Sequence, residues 1–475
     1  MRKYLIIIAL ILIAVAIGGY FLFFAKKDVC RNVVPEDARA VLVIDAKQAL
    51  GQLDFSVSDI FKALKHHQRQ KEEDKSGWGI DMLAPMYGFV SSDNYVCGVF
   101  ALSNAVDFEA KLKAEEIKIE SQRGFKWASK GEILLCFDNR KALIMGPVIM
   151  GQADAMRGRM VEWMTQGSHK VPILANLKKD DGVINLRSTL AVVPPSFTSQ
   201  LFGSLNDANL NDIFLNASLR IKERSFLLST ELESEDEEFT NYASEYDKLL
   251  RPIDGSKLPA SMEEPTLRAV FNVDGEKVLP KLRENFLLRT ILVGLNMCVD
   301  LDMMIKAIDG DVLVELGGQN VFSPDFAANA QIRNQDFLRN SKDWCSGSST
   351  FGSSCQALGE KDFVLQYAGS QFFFGVLDDL LYLSSDDVKT HRFSAPQSED
   401  EISRVREQAH GKRIYVSVNL ARMLDSLSAV GTNTGFEKET TSLDRVNVSV
   451  TDFRHIEYEL TTTERPTDFI KRLLK

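Results

Sequence analysis

The chain has 475 residues, 45% hydrophobic and 26% charged, with a formal net charge of -10. That is the composition of a globular protein with real cores, and it excludes intrinsic disorder. Setting aside Arg2 and Lys3 leaves 54 basic against 66 acidic residues, a surface that repels phosphate backbones and argues against nucleic acid or anionic lipid as partners of the folded part.

Leu5 to Ala25 is a run of 21 residues without a charge, flanked by Arg2 and Lys3 and by Lys26 and Lys27. At about 1.5 Å per residue it spans a hydrocarbon core of roughly 30 Å. It reads as a transmembrane helix or a signal sequence. A cleavable signal has a shorter apolar core and a small-residue exit, whereas this run exits through Phe23-Phe24-Ala25-Lys26, so residues 1–27 are taken as a retained anchor and 28–33 as a tether. The basic residues are balanced across the span and do not set its orientation. A short head before one long apolar run exports the chain on its C-terminal side, so the body is expected to be extracytoplasmic, in the periplasm. Cys30 comes just after the anchor, but Lys27-Asp28-Val29 lacks the small residues of a lipid-attachment site.

Past the tether, Arg39 to Leu53 (RAVLVIDAKQALGQL) returns at Arg268 to Leu282 as RAVFNVDGEKVLPKL. Both copies predict a strand, a capping Asp (Asp45, Asp274) and a helix. A third echo, Arg413 to Leu427, carries Asn419 at the capping place. In the first copy the helix after Ala46 turns polar from His66 to Lys75, and Gly77 to Asp81 resets the chain. Strands are expected at Met86 to Val90 and Tyr95 to Leu102 around Ser91 to Asn94, then a capped helix from Asn104 to Leu112. A further pair, Glu132 to Phe137 and Ala142 to Met145, has its counterpart in Phe372 to Val376 with Leu380 to Leu383.

The matches accumulate at a nearly constant offset: 229 for Arg39 to Arg268 and for Asp107 to Asp336, 230 for Ile184 to Ile414 and for Phe239 to Phe469, and 231 for Asn216 to Asn447. Five matches in one order predict tandem duplication of a unit of about 215 residues. The units are expected at 34–250 and 258–475, with Arg251 to Lys257 as the joint, where Pro252 and Gly255 break any helix. Each closes alike, by a hairpin (Phe214 to Leu232; Arg445 to Leu460) and a helix (Asp236 to Leu250; Thr467 to Leu474). The fold class expected is therefore α+β: two duplicated units, each a mostly antiparallel or mixed sheet covered by helices, after an N-terminal transmembrane helix. A groove between two such units would be the natural binding place.

Candidate chemistry is sparse. The six cysteines include no Cys-x-x-Cys. Cys345 and Cys355 bracket the loop SGSSTFGSS, and in an exported domain a disulfide between them would limit its open conformations. Cys97 and Cys136 read as buried thiols, with a bridge as the alternative, and Cys298 as core. His66 and His67 are adjacent and diverge on a helix, and His169, His391, His410 and His455 stand apart, so no metal site is expected. No G-x-S-x-G, P-loop or G-x-G-x-x-G occurs, so no cofactor site and no catalytic residue is assigned. Asp45 and Asp274 recur at strand ends, yet Asn419 fills the same place, and an amide caps a helix but does not replace a catalytic carboxylate. The acidic stretch Glu231 to Glu238 reads as a solvated helix start. Trp78, Trp127, Trp163 and Trp344 suit a stacking surface or, more simply, the core.

The series Val34-Pro35-Glu36-Asp37-Ala38, Val41 to Asp45, Gly79-Ile80-Asp81, Pro85 to Phe89 and Val99-Phe100-Ala101 resembles an uncharacterised family of Bacteroidota envelope proteins, the domain of unknown function 4836. The likeness is clearest over residues 33 to 150. It implies export and membrane attachment, often through a lipidated cysteine, and brings no activity and no functional residues. This chain departs from it in the residues before Cys30, which leaves the apolar helix as the anchor.

The reading that results is a membrane-tethered extracytoplasmic protein that binds an envelope protein or a small ligand, or acts in envelope assembly, without catalysis. The alternative is an envelope-associated hydrolase whose catalytic groups come from distant positions and leave no spacing to detect.

Overall fold

In a computed structural model the described residues are 28–52, 78–167, 169–177, 182–194, 209–256, 258, 265–284, 299–317, 325–344, 354–367, 370–385, 399–429 and 442–473. The expected anchor, His66, His67, Cys298, Cys345, His391 and most of the loop before Cys355 lie outside them. Among the described residues no helix is long and apolar enough to cross a membrane. The chain divides into two compact units, 1–194 and 195–475.

In the first unit, β1 (Ala40–Ile44) leads into α1 (Ala46–Gln52). There follow β2 (Met86–Val90), β3 (Val96–Ala101), α2 (Ala105–Ala114), β4 (Ile119–Gln122), β5 (Phe125–Lys130), β6 (Ile133–Phe137), β7 (Lys141–Gly146), α3 (Ala153–Thr165) and β8 (Ile184–Thr189). The ladders are antiparallel and run β8-β1-β2-β3-β7-β6-β5-β4. Alternation along these strands gives the sheet two apolar faces. On one, Val41, Phe89, Cys97, Leu143, Met145 and Trp127 pack against Met160, Trp163 and Met164 of α3. On the other, Leu135, Phe137 and Ala142 pack against Ala105, Phe108 and Leu112 of α2.

The second unit opens with β9 (Ile213–Ile221), β10 (Ser225–Ser234) and α4 (Glu237–Leu249), then β11 (Leu250–Arg251), β12 (Leu267–Asp274), α5 (Gly275–Glu284) and α6 (Leu301–Ala307). It continues through β13 (Ile308–Gly317), β14 (Asp325–Ile332), β15 (Ser354–Ala357), β16 (Asp362–Tyr367), β17 (Ser370–Leu377) and β18 (Leu380–Ser384). It ends in α7 (Glu399–Ala409), β19 (Ile414–Asn419), α8 (Leu420–Ala429), β20 (Leu443–Asp452), β21 (His455–Thr462) and α9 (Pro466–Leu473). Its ladders, all antiparallel, run β9-β10-β21-β20-β19-β12-β13-β14-β18-β17-β16-β15, with β11 beside the end of β12. The fold is α+β on antiparallel sheet, as the patterns predict.

Two boundaries differ from the sequence reading. The hairpin β9–β10, assigned there to the first unit, belongs to the second compact unit, because β10 pairs along its length with β21, Ser225 opposite Thr461 and Glu231 opposite His455. Of the expected joint, residues 251–256 are described and are packed structure: Ile253 is buried, and Asp311 accepts the N–H groups of Asp254 and Gly255 at 3.2 and 2.7 Å. The acidic stretch also divides, its first residues lying in β10 and only Glu237 and Glu238 entering the first turn of α4 behind the cap Asp236.

Candidate functional site: the open edge of the first sheet

Three strand-to-helix junctions carry the repeated phrase, and all are capped. Asp45 accepts the Gln48 N–H at 2.9 Å, Asn419 that of Arg422 at 3.1 Å, and Asp274 that of Glu276 at 3.2 Å. Asp274 also accepts from Arg333 at 2.6 Å. Burial alone would raise its pKa, but the Arg333 hydrogen bond and charge hold the carboxyl below its ordinary value.

A group of ionisable side chains sits inside the first unit. Tyr87 donates a short hydrogen bond to Asp28, whose other oxygen accepts the N–H groups of Cys30 and Arg31, each at 3.2 Å. Burial pushes the Cys30 thiol up to about 12, helped by the Asp28 charge and opposed by Lys141. Burial likewise lifts Cys97 and Cys136 to about 12 and raises the Tyr87 phenol, while it lowers the Lys141 amine. A thiol held protonated in an apolar core is inert rather than nucleophilic. In the second unit, polar groups on one sheet face are joined in pairs: Arg268 to Glu315 at 2.8 Å with both buried, Asn272 to Asp311 at 2.7 Å, and Arg251 to Asn272 at 2.9 Å and to Asp309 at 2.8 Å. These pairs satisfy one another, which is the arrangement of a structural polar core.

The tryptophans divide. Trp127 and Trp163 are buried, Trp344 is half-buried against Phe363 and Phe374, and Trp78 is exposed, with the Lys111 ammonium 5.9 Å from its ring. His169 faces the Val34 carbonyl, His410 that of Asp254, and His455 the carboxylates of Asp452 and Glu231. Among the described residues no group of three or more His, Cys, Asp or Glu could hold a metal ion. Cys355 lies on β15 opposite Leu365, half-buried against the second unit's core.

An open concavity lies where α2, the β4–β5 hairpin and α3 meet. The turn is two residues, Arg123 and Gly124, both at positive φ (55° and 79°), the backbone of a tight hairpin turn that sets the register of both strands. Glu120 thereby stands opposite Trp127. The indole N–H donates to the Gln122 carbonyl at 3.0 Å, and the Arg157 guanidinium from α3 lies 5.6 Å from the ring centre. Arg157 also reaches Gln122 at 3.3 Å and Glu120 at 3.8 Å. The cleft has a volume of about 450 Å³, and Glu116, Lys118, Glu120, Trp127, Lys130 and Arg157 are among its lining residues.

Beside it, among the described residues, β4 is laddered to β5 on one side only. Closing the turn with Gln122 opposite Phe125 makes that pair hydrogen-bonded, and Glu120–Trp127 after it. The backbone groups of Ile119 and Ser121 therefore point away from β5, a ladder edge that no described strand pairs and that is able to take another strand. On the neighbouring helix, hydrogen bonds from Lys113 and from Lys126 of β5 hold the Glu109 carboxyl below its ordinary value. Sequence reasoning missed Lys118, Glu120 and Arg157; the available signal was the alternation Ile117-Lys118-Ile119-Glu120 ahead of an Arg-Gly turn.

Among the described residues, the ladders and this edge define an α+β protein of antiparallel sheets with an open flank. The chain belongs to the family described as domain of unknown function DUF4836, whose model matches residues 30–456. No curated protein matches it. Among solved structures it is similar to TP0453 in crystal forms IV and III, each at 12% identity over 43% of this chain, covering 80% and 79% of those chains with TM-scores of 0.26 and 0.27. A likeness of that size carries no argument.

Proposed function

We propose that this chain is a membrane-tethered, extracytoplasmic docking protein, without catalysis, built from a duplicated α+β unit. One observation carries the docking reading: a concavity lies beside a strand edge that no described strand pairs and is lined by long charged side chains of both signs, while buried Cys30, Tyr87, Cys97 and Cys136, with their raised pKa values, are packed in the core. An open edge beside such a lining suits a polypeptide segment better than a small reactive substrate.

Three further features support the parts of this reading. The order β8-β1-β2-β3-β7-β6-β5-β4 matches β19-β12-β13-β14-β18-β17-β16-β15 strand for strand, and the β9–β10 hairpin matches β20–β21, in keeping with duplication. The uncharged run Leu5 to Ala25 has the length of an anchor. Cys30, 1% exposed among Val33 and Val34, has its sulfur enclosed, which favours the apolar run over a lipid as the attachment. A bridge from Cys345 to Cys355 belongs to the same reading, since exported domains form disulfides; the intact mass rises by two hydrogens on reduction where the bridge exists.

A photoreactive side chain placed at Ser121 in the full chain, in native membranes, tests the docking reading, with the exposed turn residue Glu223 as control. A discrete protein adduct at Ser121 and none at Glu223 is expected; equal labelling or none at Ser121 overturns it. Protease added to cells tests the side of the membrane: the body is expected to be cut once the outer envelope is permeabilised with the inner membrane intact, and cutting only after full rupture overturns it.

A further inference from the structure

The edge that offers itself for docking is complementary to its own copy. Lys118, Ile119 and Glu120 run basic, apolar, acidic, so two such strands placed antiparallel with Ile119 opposite Ile119 bring Lys118 of each against Glu120 of the other. The register fits the backbone as well as the charges. The Arg123–Gly124 turn directs the Ile119 N–H and carbonyl off the sheet, so the central Ile119 pair would exchange both hydrogen bonds. Lys118 and Glu120 would then form the non-hydrogen-bonded pairs on either side, where Cα atoms approach to about 4.5 Å and side chains meet most closely. The Ser121 N–H points at the Ile117 carbonyl of the second copy, while the Ile117 N–H donates within its own chain to the Leu112 carbonyl, at 3.0 Å.

The side chains are in condition to do this. Lys118 and Glu120 are exposed, Glu120 to 68% of its side chain, and its neighbour Arg157 stands no nearer than 3.8 Å. Ile117 and Ile119 are half-buried against the apolar face under α2, so a second Ile119 would extend that face across the junction. A shallow concavity lined by Lys113, Glu116, Ile117, Lys118, Ile119 and Glu120 runs along the strand and leaves room beside it. The corresponding edge of the second unit, β15, reads Ser354-Cys355-Gln356-Ala357 and has no such charge pattern.

We propose that two copies of this chain associate through β4, antiparallel and centred on Ile119, with reciprocal Lys118–Glu120 ion pairs. This names the partner of the edge and so rests on the docking reading. The contact is short and its affinity in dilute solution modest, but two copies held on one membrane meet at a high effective concentration.

Charge exchange tests it in the full-length chain, purified in detergent and followed by energy transfer between donor- and acceptor-labelled copies. Lys118→Glu and Glu120→Lys each set like charges face to face at two places, and each is expected to weaken self-association by about tenfold or more. Mixing the two single variants is expected to restore association, because every reversed residue then meets its opposite, and the doubly exchanged chain, Lys118→Glu with Glu120→Lys, should pair as the native one does. Unchanged thermal melting confirms that each variant is folded. A monomeric native chain, association indifferent to the reversals (as a contact through the N-terminal segment would be), or failure of the mixture to associate overturns the proposal. A different protein cross-linked at Ser121 by a chain that is itself monomeric leaves the docking reading standing and overturns this one.

Discussion

Arg268 and Glu315 show what a buried charge costs and why it is kept in company. With side-chain exposures of 2% and 0%, neither can turn to water, so removing one strands the other. Arg268→Met is expected to cost about 3–5 kcal/mol in denaturant unfolding, while Arg268→Met with Glu315→Leu recovers much of that loss. The thiols of the first unit are linked to pH instead. Cys30, Cys97 and Cys136 rise from the ordinary 9.0 to about 12 by burial, so the unfolded chain ionises first. Their contribution is complete below pH 9.0 and is lost as pH climbs towards 12. The raised Tyr87 acts in the same direction, and Lys141, lowered by burial, opposes them. Unfolding midpoints should therefore fall from pH 8 to 10 or so, less steeply in Cys97→Val, and maleimide at neutral pH should leave these three thiols unmodified until denaturant is added. The capping role of Asp45 was legible in the sequence because a cap is a local device. The burial of Glu315 was not, since its partner is 47 residues away.

At the level of single elements, legibility divides in the same way. The strands Ala40–Ile44 and Met86–Val90 were readable to the residue, because β-branched or aromatic residues stand between turn formers. The strand Ile308–Gly317 was not, because Asp309, Gly310, Asp311 and Glu315 interrupt its apolar pattern, and its three carboxylates sit on a sheet by pairing with Arg251 and Arg333, with Asn272 and the Asp254 and Gly255 N–H groups, and with Arg268. The hairpin Ile119–Gln122 with Phe125–Lys130 escaped notice for a related reason: Ile119 is the single apolar residue of the short strand β4, too brief an alternation to stand out, and Lys126, Ser129 and Lys130 dilute the pattern of its partner. Gly275 gives a test at this scale. It begins α5 against the end of α6, where a Cβ would overlap the Ile305 carbonyl oxygen, a rigid backbone group. Gly275→Ala should destabilise the second unit by about 2 kcal/mol or more through overpacking, although alanine is the better helix former. Gly51, with open space about it, should instead gain slightly from the same change, and the two melting temperatures measured side by side separate contact from propensity.

At the scale of the described chain, the division into compact units falls elsewhere than the boundary expected from the sequence. By sequence the first copy closes with the β9–β10 hairpin and the helix from Glu237 to Leu249, yet that hairpin is laddered to β21 from Ser225 to Glu231 and belongs to the compact unit 195–475. The contact is specific: Ser225 donates to Glu459 at 2.8 Å, Thr230 to the Ile456 carbonyl at 3.0 Å, and Phe226 meets Phe469 edge to face at 6.1 Å. Phe453 packs on Phe239, Tyr242 and Tyr246 of α4. Dividing the chain at the sequence boundary would strip β21 of this strand and leave a long unpaired edge beside exposed aromatic rings, the condition for edge-to-edge aggregation. Residues 195–475 expressed alone should therefore give a soluble piece with a cooperative thermal transition, whereas 258–475 should aggregate or melt without cooperativity. Should 258–475 fold as stably as the longer piece, the β10–β21 ladder contributes nothing to the second unit, and the boundary lies where the sequence reading put it.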